Sequence, residues 1–363
     1  MHPGTPVQLM RNRVWRTYKG GQVLSQWYNE AMAADTHYPE EWVASTVAAR
    51  QGASATGEHE GQCRFEGPDG RPVLLTDWIH THAEAVLGTR HLARYGTDTG
   101  VLVKLLDAAE RLAIQVHPSS EKAQMLFGSP YGKTEAWYVL EGREVGGEPP
   151  HIFAGFKPGT TRDKIVTAFH KQDISGMLDC LHKIPVTPGE VYLIRGGLPH
   201  AIGPGCLLLE IQEATDYTIR IERTSPSGFK IEDELCHQGL GFERMFDCFG
   251  WETRDAADTL RHIRLQDSEI QEAGEHGLIS YDDTPCFALS KINVLPRHQH
   301  RLADAPSFSV LVVTEGSGTL RWENQALSLQ RGAKVFLPAS CSGVTVEGEA
   351  GLLALLRCYP PQA

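Results

Sequence analysis

The chain has 363 residues, 41% apolar and 22% charged, and a formal net charge of −11, the composition of an ordinary soluble globular protein with one large or two medium domains. The acidic balance excludes a general nucleic-acid binder but not a phosphorylated small molecule, whose site needs only a few local cations. No apolar signal core opens the chain, no run is long enough to span a membrane, and the eight cysteines are scattered without a CxxC pair, so a cytoplasmic protein with reduced thiols and no membrane partner is expected.

In chain order, residues 1–13 read as a loose arm and 14–28, with Trp15, Gly20-Gly21 and Trp27, as a turn-rich edge segment. A short strand is expected over 41–45. Residues 50–71, rich in Gly, Glu and small polar side chains without a period, read as a surface loop. The spacing of Ala85, Leu87, Leu92 and Ala93 predicts a helix over 83–95. Residues 101–106 are apolar enough for a buried strand. Ile114-Gln115-Val116-His117-Pro118 reads as another, followed by a helix capped near Ser119 and running to Phe127. A strand is expected over 136–140, a turn over 142–150, two short helices over 161–170 and 171–178, and strand, turn, strand from 184 to 222. Residues 225–258 mix loop with short amphipathic pieces. Beyond them, strands are expected within 286–292, 308–314, 319–322 and 331–339, separated by Gly and Pro turns, as in a sandwich or barrel.

The two strand series resemble each other. Glu141-Gly142 with Pro188-Gly189-Glu190, Gly197 and His200 parallels Glu315-Gly316-Ser317-Gly318 with Arg331-Gly332 and Pro338. This turn chemistry resembles that of a cupin jelly roll, seen twice. The expected fold is therefore mainly β, with two cupin β-sandwich domains and a few short helices. Residues 1–255 would form the metal-binding catalytic domain and 256–363 a C-terminal cupin without a metal set. The second copy has Ser340-Cys341 where the first has His200. Its His298 and His300 lack an acidic partner at cupin spacing, so its role is expected to be structural.

Side chains two apart on a strand point the same way, so Gln115 and His117 share a face. With Glu135, at the mouth of the next strand, and His200 they form a candidate divalent-metal set. A lone histidine in an apolar strand is ordinarily a hydrogen-bonded core residue; four donors at cupin positions together are a ligand set. Zinc accepts imidazole nitrogen and carboxylate oxygen while leaving a position open; Mn, Fe and Co accept the same atoms. Residues 207–222 alternate. Leu207, Leu209, Ile211, Tyr217, Ile219 and Ile221 share one parity, and Glu210, Gln212, Asp216, Thr218, Arg220 and Glu222 the other. An unbroken strand would turn Glu210, Asp216 and Arg220 to one face, either as an ordinary wet surface or as acid/base and substrate-binding groups.

These residues resemble the type I mannose-6-phosphate isomerases in their short bacterial form, continuously from Val14-Trp15 to Glu222 and more weakly to the end. The most specific parts are Ile114-Gln115-Val116-His117-Pro118, Lys133-Thr134-Glu135, Gly197-Leu198-Pro199-His200-Ala201-Ile202 and Glu210, Asp216 and Arg220. The resemblance implies one zinc ion on Gln115, His117, Glu135 and His200, a catalytic Arg220, and interconversion of mannose 6-phosphate and fructose 6-phosphate through a cis-enediol. Glu210 or Asp216 would shuttle the proton, while Lys104, Lys133 and Arg220 would meet the anionic parts of a phosphorylated hexose. Two positions depart from the family pattern: Ala113 stands where a serine is usual, and Thr134 where a proline is. The alternative is a metal cupin that binds another phosphosugar, with or without catalysis. The sequence leaves monomer and homodimer equally open.

Overall fold

The structure, a computed structural model, describes residues 2–50 and 59–363. It is mainly β, with two jelly-roll sandwiches of the cupin kind and short helices between strands. In the first, a seven-stranded sheet runs Arg264–Gln266, Val191–Ile194, Glu135–Gly142, Cys206–Glu213, Val101–Asp107, Glu40–Val43, Arg13–Val14. Facing it, a five-stranded sheet runs Leu181–Pro185, His151–Phe156, His200–Ile202, Gln115–Val116, Ile219–Arg220. Eight of these strands recur in the second sandwich in the same order and with the same pairings: Ala288–Val294, Gln299–Arg301, Ser309–Glu315, Ser317–Trp322, Gln325–Gln330, Lys334–Leu337, Thr345–Gly348 and Leu353–Tyr359. They match, in turn, Val101–Asp107, Gln115–Val116, Glu135–Gly142, His151–Phe156, Leu181–Pro185, Val191–Ile194, His200–Ile202 and Cys206–Glu213.

Alternation explains how one strand serves two cores. In Cys206–Glu213, Leu208 faces the interior of the first sandwich with Leu106, Trp137 and Tyr192. Leu207, Leu209 and Ile211 point the other way, into an apolar layer shared with Val310, Phe336 and Leu356 of the second sandwich. That layer cements the two sandwiches, at about 1.5–3 kcal/mol for each large aliphatic side chain fully buried. Two strands sit across the expected division at 255/256. Arg264–Gln266 pairs with Val191–Ile194, and Val7–Gln8 pairs with Lys334–Leu337.

Several expectations are corrected. The arm expected over 1–13 contains the strands Val7–Gln8 and Arg13–Val14, because Val7 and Leu9 are buried against the second sandwich. The turn-rich 14–28 segment contains the helix Gln22–Trp27. The helix expected over 83–95 is two, Ala83–Leu87 and Thr89–Tyr95, broken at Gly88. There φ is +89° and a Cβ would lie 2.5 Å from the Pro306 carbonyl oxygen, so no other residue fits. The loop expected over 50–71 falls partly on 51–58, outside the described residues; its later part holds the strand Arg64–Glu66, paired with Pro72–Leu74. The expected strand at 41–45, the Ser119-capped helix Ser120–Phe127 and the helices Arg162–Lys171 and Ile174–Leu178 stand close to where the spacing puts them. Among the described residues no helix is long and apolar enough to cross a membrane.

Candidate metal centre and active site

The five-stranded sheet brings Gln115 and His200 side by side, since their strands pair at these two residues, and His117 follows on the same face as Gln115. Glu135 opens its strand in the facing sheet, so the four side chains meet between the layers. All are buried. His117 Nε2 lies 3.1 Å from Glu135 Oε2, and His200 Nε2 lies 3.3 Å from Glu135 Oε1. Among the described residues, His117, Glu135 and His200 are the one group of three such donors close enough together to hold a metal ion.

Main-chain carbonyls set both tautomers. His117 Nδ1 donates to Tyr217 O at 2.9 Å and His200 Nδ1 to Leu198 O at 2.8 Å, leaving each Nε2 with its lone pair aimed inward, the arrangement of metal-binding histidines. Glu135 Oε1 is buried without any hydrogen-bond partner, an uncompensated acceptor beside another acceptor. A cation resolves that conflict. The ammonium of Lys133 already sits at this pole, 2.8 Å from His117 Nε2 and 2.5 Å from Glu135 Oε2. Gln115 Nε2 lies 3.2 Å from His200 Nε2, and a flip about its last torsion would present the amide oxygen instead. Two imidazoles, a carboxylate and an amide oxygen fit a divalent ion.

The electrostatics agree. Burial, helped by Lys133, pushes His117 down to about 3, so it is neutral and ready to ligate. Burial likewise lowers His200. Burial would raise Glu135, but Lys133 and the two histidines outweigh it and hold the carboxyl well below its usual range.

Beside this centre lies a pocket lined by Gln115, Lys133, Lys104, Glu210, Asp216 and Arg220, all expected site residues, and by Arg16, Glu40 and Arg50, which the sequence had not singled out. Ala113 also lines it. The supposed continuous strand from 207 to 222 breaks after Glu213, and Ile219–Arg220 pairs in the opposite sheet with Gln115–Val116. Glu210 and Arg220 therefore meet across the sandwich rather than along one face. Lys104 Nζ donates to Glu210 Oε1 at 3.0 Å and Trp137 Nε1 to Glu210 Oε2 at 3.1 Å. Burial and the charge of Glu135 raise the Glu210 carboxyl against the pull of Lys104. Asp216 is held by Arg16 at 3.4 Å and by the Arg50 N–H at 2.9 Å. Burial would raise it, but Arg16 and Lys104 keep it lowered. Arg220 donates to Leu235 O at 2.7 Å and Thr218 O at 3.3 Å. Among the described residues it has no carboxylate within ion-pair distance.

The missed residues form one network. Glu40 accepts from Arg16 at 2.8 Å, from Tyr18 OH at 2.7 Å and from Trp42 Nε1 at 2.7 Å. Its signal was available: consecutive acids, Glu40 and Glu41, lie in a strand whose four positions are all buried, so each needs a partner cation on its own side.

The family model for the mannose-6-phosphate isomerase cupin domain matches residues 279–356. Mannose-6-phosphate isomerase of Streptococcus mutans is 36% identical over 254 residues, covering 70% of this chain and 73% of that protein. Mannose-6-phosphate isomerase ManA of Bacillus subtilis is 24% identical over 326 residues, 84% of this chain and 92% of that protein. The crystal structure of the mannose 6-phosphate isomerase from Bacillus subtilis superposes with a TM-score of 0.72, at 22% identity, over 98% of this chain and 99% of that one. The double jelly roll extends across both chains, and the sequence identity reaches through most of it. The chain is an isomerase enzyme and belongs to the type I mannose-6-phosphate isomerase family of the cupin superfamily.

Proposed function

We propose that this enzyme interconverts D-mannose 6-phosphate and D-fructose 6-phosphate, with one zinc ion held by Gln115, His117, Glu135 and His200. The observation that carries the proposal is the charge of the pocket beside that centre. Five cations, Arg16, Arg50, Lys104, Lys133 and Arg220, line it against three carboxylates, Glu40, Glu210 and Asp216. In a chain of net charge −11, this local positive excess suits a phosphorylated substrate.

The reaction moves a proton between C1 and C2 of the open-chain sugar through a cis-enediol. Bound zinc would supply Lewis-acid stabilisation of sugar oxygens. Glu210 is the better proton shuttle of the two carboxylates, because burial raises its carboxyl while Arg16 and Lys104 keep that of Asp216 lowered. Asp216 then serves by fixing Arg16. Arg220, free of a carboxylate, offsets the charge that develops on the enediolate; Lys104 and Lys133 anchor anionic oxygens. We assign this chemistry to the catalytic portion, residues 1–255, with 256–363 as its C-terminal companion, the two exchanging the edge strands Val7–Gln8 and Arg264–Gln266. The eight unpaired cysteines support a cytoplasmic setting.

The test is a coupled assay with mannose 6-phosphate on metal-replete and chelator-treated protein. Turnover lost to chelator and restored by zinc is the expected result. Absence of turnover with metal bound would refute the substrate assignment and make Ala113, in the pocket wall, the first position to change.

A further inference from the structure

One cation of the substrate pocket differs from the other four in depth. Arg16, Lys104 and Lys133 are buried, and each faces a buried carboxylate: Arg16 meets Glu40 at 2.8 Å, Lys104 meets Glu210 at 3.0 Å and Lys133 meets Glu135 at 2.5 Å. Arg220 is turned onto the main-chain carbonyls of Leu235 and Thr218. Arg50 lines the same pocket but is exposed. It therefore marks the open end of the pocket, whereas the metal centre, buried between the sheets, lies at the closed one.

An exposed arginine is ordinarily mobile, because ordering its long side chain costs entropy. This one is fixed at two points by consecutive residues. Its main-chain N–H donates to Asp216 Oδ2 at 2.9 Å, and its guanidinium carbon lies 4.2 Å from the centre of the Tyr217 ring, a cation–π contact. Tyr217 is itself stacked on Phe127, with ring centroids 4.4 Å apart and planes 28° from parallel. The Tyr217 carbonyl accepts from His117 Nδ1 at 2.9 Å. One residue thus holds a metal ligand with its main chain and the Arg50 guanidinium with its ring, so the two ends of the pocket keep a set separation. A ring contact, unlike an ion pair, leaves the guanidinium its full charge for an oxyanion.

Depth decides which part of the substrate each end receives. C1 and C2, where the proton moves, must reach the metal centre. The phosphate is on C6, at the far end of the open chain, and stripping water from a dianion is costly, so it belongs at the open end beside a fixed, exposed cation. We propose that Arg50, held on Tyr217, grips the phosphate of the substrate and sets the register in which C1 and C2 meet the metal centre. The inference rests on the mannose 6-phosphate reading above.

The test compares the wild type with Arg50→Ala, Arg50→Lys and Tyr217→Leu as metal-replete full chains. Steady-state turnover of mannose 6-phosphate is measured beside titration of inorganic phosphate followed by phosphorus NMR. Arg50→Ala should raise both KM and the Kd of phosphate about 10- to 100-fold, the value of a hydrogen bond between charged groups, with kcat within about threefold. Arg50→Lys, which keeps the charge without the planar fork, should recover part of both. Tyr217→Leu keeps the carbonyl that orients His117, so zinc content should hold while KM rises about two- to fivefold, the value of an exposed cation–π contact. Unchanged KM and phosphate affinity in Arg50→Ala, with the wild type turning over mannose 6-phosphate, would overturn the role of Arg50 and leave the substrate reading intact. A fall in kcat at constant KM would overturn it too, by tying Arg50 to the transition state alone. If the wild type does not turn over mannose 6-phosphate, the substrate reading fails and the phosphate titration decides. Affinity lost in Arg50→Ala would then support the anion anchor, and equal or absent affinity in both chains would overturn it.

Discussion

Replacing Arg220 by alanine separates catalysis from folding. In the folded chain its guanidinium donates to the carbonyls of Leu235 at 2.7 Å and Thr218 at 3.3 Å. Their loss should cost about 1.5–3 kcal/mol, the usual range for hydrogen bonds to a charged group. That leaves most of the roughly 5–15 kcal/mol by which a domain is ordinarily stable, so Arg220→Ala should fold, with a melting temperature lower by a few degrees. The metal centre should be untouched, because the Arg220 guanidinium bonds no ligand of the set, and the main-chain pairing of Arg220 with Gln115 does not depend on the side chain. Catalysis should suffer more. Removing one preorganised stabiliser of developing negative charge typically costs about 10²–10³ in kcat, or about 3–4 kcal/mol. The assay is steady-state turnover of mannose 6-phosphate, read beside bound metal by mass spectrometry and melting by calorimetry. Arg220→Lys, which keeps the charge but not the planar fork, should recover part of the loss. A kcat within threefold of wild type, with metal in place, would remove Arg220 from the mechanism. A rise in KM at constant kcat would reassign it to uniform substrate binding.

Chelation should abolish turnover and also lower the melting temperature, because a ligand that binds only the folded chain stabilises it by mass action; an unchanged melting temperature would mean no ion sits on His117, Glu135 and His200. Glu40 makes stability pH-dependent. Burial would raise its carboxyl, but Arg16 and Lys104 hold it down at about 2 against an ordinary 4.5, so its contribution of about 3 kcal/mol is complete above pH ~4.5 and drains away as pH falls toward 2. The stability gap between wild type and Glu40→Gln should therefore narrow steadily through that window; a constant gap would show that the pairing with Arg16 contributes nothing. Lys334→Met should cost about 3–5 kcal/mol in urea unfolding by stranding the buried Glu41 carboxylate it pairs with across the two sandwiches. Adding Glu41→Leu should restore most of it, and a double variant as unstable as the single one would disprove the pairing.

Local rules written into adjacent residues were legible. The Ser119 cap is one: its side chain accepts the Lys122 N–H three residues on. The Gln115 and His117 spacing is another, because a strand's period of two survives any tertiary context. Partners distant in sequence were not legible. The helix Gln22–Trp27 has no capping side chain of its own; Asp107, far along the chain, accepts the N–H of Val23 at 2.7 Å and of Leu24 at 3.3 Å. Arg16 meets Glu40 and Asp216, 24 and 200 residues away, and nothing near Arg16 announces either. The alternation from Leu207 to Glu222 named the right polar residues for a geometry the chain does not adopt, since it leaves one sheet after Glu213 and joins the other at Ile219.

The pairing of Val7 with Phe336 and Gln8 with Val335 has a consequence for how the protein is made. At roughly 5–20 residues per second of synthesis, Val7 leaves the ribosome on the order of tens of seconds before its partner strand exists. The first jelly roll can close in that interval, but the strand Lys334–Leu337, once made, presents an open sheet edge until the N-terminal segment docks on it. An open edge invites pairing with another chain. Nascent copies on one messenger are therefore exposed, late in translation, to exchanging this two-residue strand, and the apolar Val7 and Leu9 beside it are what draw each chain back to its own edge.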